Sequence, residues 1–211
     1  DVPVVSGNVS FYNESFGKPI YPTPVVAAAG LIKPLKNLTS NEFKNEGDLI
    51  FLLGKNKDNM GGSEFMDLFF NKIAGNCPNI DLPYEKRLQS LILEMIDIGI
   101  VESAHDCSIG GIAISLAESC ILGSLGARIK IGLIKNSLLR TIYNESQSRI
   151  VVSINKNNVG ILKSKCKSFK IDFELLGSVI KDKLEINDEI RIDVKVLADS
   201  YNNELDSIMS K

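Results

Sequence analysis

The stretch LEINDEIRIDV, residues 184–194, decides the fold class. Leu184, Ile186, Ile190 and Ile192 alternate with polar or charged residues on both sides of Asn187-Asp188. Period-two alternation describes strands with one face toward a core. An asparagine–aspartate pair between two such runs is a turn signal, so the stretch is predicted to be a β-hairpin. Working outward from it, strand and helix patterns intermingle along the chain. The predicted class is therefore α+β, a mixed sheet packed with helices, rather than a purely parallel sheet.

The neighbouring segments read in the same terms. Residues 149–154 form a strand, and Val159, Leu162, Cys166 and Phe169 mark one face of a helix. A last helix is expected over about 195–208. Further back, Leu88, Leu91, Ile92 and Met95 carry the i, i+3, i+4, i+7 spacing of an amphipathic helix between Pro83 and Gly99. Ile100-Val101 is expected to begin a short strand, and residues 112–122 a helix closed by Gly123. LIFLLG (49–54) and VVAAAGLI (25–32) read as buried strands, with a surface connection over 33–47. Ser63 is a plausible N-cap for a helix over 64–74. No internal repeat or low-complexity tract interrupts the pattern.

Composition narrows the classes. The chain has 211 residues, 44% of them hydrophobic, enough for a packed core in one large or two small domains. Its formal net charge of -2 makes a broad electrostatic case for nucleic acid weak. No apolar run reaches the roughly 18 residues of a membrane span, and no signal peptide is read at the start. Cys77, Cys107, Cys120 and Cys166 are scattered with no C-x-x-C pair. The expectation is buried, reduced thiols in a cytoplasmic protein, with neither a zinc site nor a redox motif. There is one histidine, His105.

Three polar stretches could carry chemistry. In SGNVSFYNES (6–15), Gly7 would let backbone amides approach an anion, Asn8 offers a hard oxygen suited to magnesium, and Ser10 offers a hydroxyl. On composition alone a turn that satisfies its own backbone is the favoured reading. In HDCSIGG (105–111) a strand meets a helix opened by two glycines, so the amides of Gly110 and Gly111 form a natural phosphate seat. There Asp106 could hold a metal or cap the helix. In NESQSR (144–149), Glu145, Ser146 and Gln147 could line a pocket mouth, with Arg149 paired to Glu145 or to a ligand phosphate. A solvated loop reads equally well.

Taken in order, GNVSFYNES, PTPVV, GDLIFLLG, SAHDCSIGG, LAES and NESQSR resemble the C-terminal portion of phosphoribosylformylglycinamidine synthase subunit II, of the small type. The wider superfamily includes aminoimidazole ribonucleotide synthase and thiamine-monophosphate kinase. The resemblance covers nearly the whole chain. It implies residues 1–45 as the tail of an N-terminal synthase-like domain in the second half of a longer protein, and 46–211 as that half's C-terminal α+β domain. It implies ATP-dependent conversion of formylglycinamide ribonucleotide to the amidine, with ATP and Mg2+ as cofactors and ammonia from a separate glutaminase subunit. A small accessory subunit and the protein's own first half are the further partners.

By the same resemblance Gly7 contacts ATP, Asn8 binds magnesium and Ser10 contacts the ribonucleotide substrate. No residue here is named as catalytic, because the family's catalytic histidines lie in the first half. Asp106, Gly110, Gly111, Glu145, Ser146 and Gln147 are secondary candidates for a pseudo-symmetric nucleotide site. The family commonly has aspartate where this chain has Ile109, which places a polar role at that position in doubt. The competing readings are a superfamily cousin acting as a small-molecule kinase, and a non-catalytic module that holds a nucleotide. The isolated chain is expected to be inactive, and to self-associate through residues 25–32 as a homodimer.

Overall fold

A computed structural model of the chain describes residues 3–7, 14–20, 23–32 and 38–209, the side chains of 205–207 apart. Two compact units result, Asp1–Lys33 and Pro34–Lys211. In the first, β1 (Glu14–Ser15) and β2 (Lys18–Pro19) pair antiparallel. Phe16 and Gly17 turn between them with φ of 50° and 72°. Both values are positive, as a two-residue turn that matches strand twist requires.

The expected buried strand over 25–32 does not form. Residues 23–32 make no ladder, and Val25, Val26 and Leu31 are each more than 85% exposed. Apolar, small-residue composition suits a strand, but a strand exists only beside a partner, and no described residue pairs with this one.

The second unit is a seven-stranded sheet in the order β4-β6-β3-β7-β5-β8-β9. The strands are β3 (Leu49–Leu53), β4 (Ser103–Asp106), β5 (Gly126–Ile129), β6 (Ile150–Ile154), β7 (Phe173–Ile180), β8 (Lys183–Ile186) and β9 (Ile190–Asp193). Every neighbouring pair is antiparallel except β5 and β8, which run parallel, so the sheet is mixed. The hairpin expected at 184–194 is β8–β9. Asn187 and Asp188 hold φ of 52° and 60°, the conformation that asparagine and aspartate tolerate best after glycine.

β3 explains why its sequence reads as one apolar run rather than an alternation. Ile50 and Leu52 enter one core with Ile112, Leu116 and Cys120 of α3 (Gly111–Gly123) and Ile142 of α4 (Leu138–Tyr143). Phe51 and Leu53 enter a second core with Leu88, Leu91 and Met95 of α2 (Leu82–Asp97) and Leu162 and Cys166 of α5 (Val159–Phe169). A central strand covered on both faces has no solvent side to make polar. Helix α6 (Val194–Met209) follows β9 and adds Val194 and Leu197 to the first core.

Helix α1 (Glu64–Phe70) begins at the expected cap, where the Ser63 hydroxyl accepts from the Met66 amide at 3.4 Å. It stops four residues before the expected end, because Asn71 turns left-handed at φ 46° and closes it. β4 starts at Ser103 rather than Ile100, so the segment SAHD is itself strand. Strand β5, helix α4 and strand β7 carry no pattern that the sequence analysis isolated.

Of the cysteines, Cys107, Cys120 and Cys166 are buried and Cys77 is exposed, which corrects the expectation of four buried thiols. Cys77 lies in the irregular segment between α1 and α2, outside both cores. Burial pushes the Cys120 thiol up to about 12 and Cys166 to about 11, and raises Cys107 as well. Since the thiolate is the nucleophile, maleimide at neutral pH should label one thiol of the folded chain and four in urea. A second fast-labelling thiol in the native chain would contradict the burial described here.

Candidate functional site

The strand register brings three loops to one end of the sheet. Ile150, the first residue of β6, lies opposite Leu53, the last of β3, and opposite Asp106, the last of β4. The segment leaving β3 (54–62), the segment leaving β4 (107–110) and the segment entering β6 (144–149) therefore emerge side by side. HDCSIGG and NESQSR, read separately in sequence, share this place.

Arg149 ties the cluster together from inside. It is 2% exposed, and its guanidinium donates to the carbonyl of Ser146 at 2.8 Å, the carbonyl of Asn144 at 2.8 Å and Asn56 Oδ1 at 2.7 Å. Among the described residues no carboxylate oxygen lies within 4.0 Å of it. Burial holds its pKa below the ordinary arginine value, because no salt bridge offsets the lost hydration. The expected pairing of Arg149 with Glu145 is thus corrected. The guanidinium fork is taken up by backbone and amide oxygens that shape the turn.

Asn144 and Ser146 are likewise fully buried and committed to the scaffold. Asn144 Nδ2 donates to Asn56 Oδ1 at 2.9 Å, and the Ser146 hydroxyl lies 2.6 Å from Asn144 Oδ1 and 2.9 Å from the Lys57 carbonyl. Glu145 faces the other way. One carboxylate oxygen accepts from the Gly110 amide at 2.9 Å and from the Glu64 amide at 3.0 Å, so a single anion caps the approach to both α3 and α1. The amide of Gly110, expected to receive a phosphate, donates to this carboxylate instead.

Gly110 and Gly111 have φ of 74° and 63°. A β-carbon on Gly111 would lie 2.3 Å from the Asn144 carbonyl oxygen, so the glycine lets α3 start directly beneath the NESQSR loop. Asp106 does not cap α3, whose N-cap is Gly110 without a side-chain bond. Its carboxylate is 73% exposed and stands 3.6 Å from His105 Nδ1. The stronger partner of His105 is Glu118 on α3, at 2.7 Å from Nε2.

Asp106 and Gln147 meet at a cavity of about 350 Å³, which Ser108, Ser148, Glu85 and Gln89 also line. Its charged lining residues are the acids Asp106 and Glu85 and the buried Arg149, whose guanidinium is already committed to the turn, while Ser108, Gln89 and Gln147 supply neutral donors. Such a wall suits hydroxyl or amide groups directly, and a phosphate only with a cation between. Among the described residues no three His, Cys, Asp or Glu side chains converge on a metal position. Gly7 is exposed, with nothing within 4 Å of where its β-carbon would point. Asn8 and Ser10 lie outside the described residues. Asn56, Glu85 and Gln89 escaped the sequence analysis. Asn56 sits 93 positions from Arg149, and no local pattern reports a bond of that span.

Residues 45–188 match the family described as AIR synthase related protein, C-terminal domain, and the chain belongs to that family. Within it, the chain is 40% identical over 97% of its length to phosphoribosylformylglycinamidine synthase subunit PurL of Caldanaerobacter subterraneus subsp. tengcongensis, of which it covers 28%. It is 42% identical over 85% of its length to the subunit of the same name from Symbiobacterium thermophilum, covering 24% of that protein. The chain thus spans about a quarter of the length of these relatives. Among solved structures, Thermotoga maritima PurL complexed with FGAR matches with a TM-score of 0.67 at 20% identity, over 77% of this chain and 29% of that one. The thiamine-monophosphate kinase of Stenotrophomonas maltophilia matches at 0.50 and 14% identity, over 71% of this chain and 52% of that one. These structures share the α+β fold expected from the sequence. Among the described residues no helix is long and apolar enough to cross a membrane.

Proposed function

We propose that this chain forms the C-terminal part of an ATP-dependent ligase that converts formylglycinamide ribonucleotide to formylglycinamidine ribonucleotide, in the cytoplasm, using ammonia from a separate glutaminase. The observation that carries the reading is 40% identity over 97% of the chain to a subunit of that name. The Thermotoga structures of PurL with ATP and with FGAR support the ligand classes. In this reading Gly7 faces ATP, Asn8 supplies an oxygen to Mg2+ and Ser10 meets the ribonucleotide. Such a reaction needs charge screening on the phosphates and a held amide, and an amide oxygen and a hydroxyl beside a glycine suit those tasks.

The test is made in the full-length gene product with its glutaminase supplied. Asn8→Ala is expected to lower kcat at least a hundredfold and to raise the Mg2+ concentration needed for half-maximal rate. The isolated chain is expected to turn over nothing. Unchanged magnesium dependence in Asn8→Ala, or amidine formation by the isolated chain, would remove the assignment.

The secondary reading is a nucleotide held at the loop cluster, favoured by one observation: Asp106 and Gln147, from two separate motifs, face a single cavity. Asp106 would reach the nucleotide through a cation, Gly110 and Gly111 would give close backbone approach, and Glu145 and Ser146 would keep the loop in place. Mass spectrometry of the ligand released after gentle purification separates this from a kinase-like cousin, which a panel of acceptors read by ADP release would reveal.

A further inference from the structure

An apolar groove of the second unit lies away from the loop cluster's polar cavity, between α1 and the start of α4. It measures about 460 Å³ and is walled by Met60, Phe65, Met66, Phe70 and Leu139. Phe65 is its buried anchor, stacked on Tyr143 at 5.0 Å between ring centres and on Phe69 at 4.5 Å. α1 and the residues just after it turn further apolar side chains outward: Leu68 is 73% exposed, Phe69 67%, Phe70 61% and Ile73 63%. Isolated exposed apolar residues are ordinary, but four within six positions beside an apolar groove form a patch of the kind that marks an interface.

Charge and extent say what covers it. The charged side chains lining the groove are Lys72 and Arg140, with no acid among them. Lys135 and Arg140 share one carboxylate, Asp58, at 2.7 Å each, which leaves the rim with more cations than acids. The row of exposed residues runs past the groove, since Leu68, Phe69 and Ile73 lie outside its lining. The relatives carry the aligned region within a polypeptide of which it makes up 28%, so most of their chain lies outside it.

We propose that the α1 face is a docking surface for another part of the same longer polypeptide, a segment that sets apolar side chains into the groove and a flanking carboxylate against Lys72 and Arg140. An apolar segment removes Phe69, Phe70 and Ile73 from water. The flanking acid fixes its register, since a cationic rim accepts one orientation and repels a basic one. This surface rests on the reading of the chain as part of a longer protein, and it is independent of which reaction that protein performs.

The test places a reporter thiol on the face. Phe69→Cys in a Cys77→Ser background is labelled with maleimide in the isolated chain and in the full-length gene product. Labelling is expected to be at least tenfold slower in the full-length product, and Lys72→Glu there is expected to return most of the rate. Ile73→Cys serves as a second reporter should the loss of Phe69 disturb α1. Equal rates in both proteins overturn the proposal. Protection of the isolated chain that grows with its own concentration also overturns it, by assigning the face to a second copy. A full-length product that protects the thiol yet makes no amidine leaves the surface standing and removes only the proposed reaction.

Discussion

Replacing Arg149 with alanine is expected to lower the unfolding free energy of the chain by about 3 to 5 kcal/mol, measured by urea titration followed by far-UV circular dichroism. The size comes from what the side chain leaves behind. Two backbone carbonyls lose their donor in a place where water does not reach, and Asn56 Oδ1 keeps only the one from Asn144 Nδ2. Each buried acceptor left unmade costs about 1 to 3 kcal/mol. Lysine is expected to recover little, because one ammonium on a flexible stem cannot reproduce a planar fork aimed at three oxygens. A loss below about 1 kcal/mol for alanine would mean that the loop cluster does not depend on this residue.

Gly111→Ala should be nearly as damaging, by about 3 kcal/mol, through a different cause. The added methyl meets the Asn144 and Ile142 carbonyl oxygens at 2.3 and 2.7 Å, and the backbone already sits at φ 63°. Both obstacles are main chain, so neither can rotate away. Relief requires α3 to part from the NESQSR loop, which also breaks the contact of Glu145 with Gly110. Gly132→Ala is the control, since nothing lies within 4 Å of its β-carbon, and a melting temperature close to the parent is expected. Equal melting temperatures for the two variants would refute the close approach.

What the sequence made legible follows the range over which each signal acts. The hairpin at 184–194, the strand at 49–53, and helices α2, α3 and α5 were readable because their periodicity or turn chemistry is local. Three elements were not. β5 is four residues with Arg128 in its middle, α4 is six, and β7 is broken by Gly177, so each is too short or too interrupted for a period to emerge. VVAAAGLI misled for the opposite reason: its composition suits a strand, but strand formation depends on a neighbour. At the candidate site, the motif glycines and polar residues were visible as residues but not as roles. Asp106 turned out exposed, Ser146 buried and Glu145 bonded to the very amide expected to take a phosphate, the last two through partners 35 or more positions away.

β6 is flanked by two antiparallel ladders that both terminate on Ile150. The turn that precedes it cannot slide against one neighbour without sliding equally against the other, so the three loops at this edge keep a common height. Any force transmitted to one, whether from a bound molecule or from a docked segment, is shared by all of them. The cluster thereby behaves as a rigid rim, whose chemistry can be altered by exchanging outward side chains while its frame stays put.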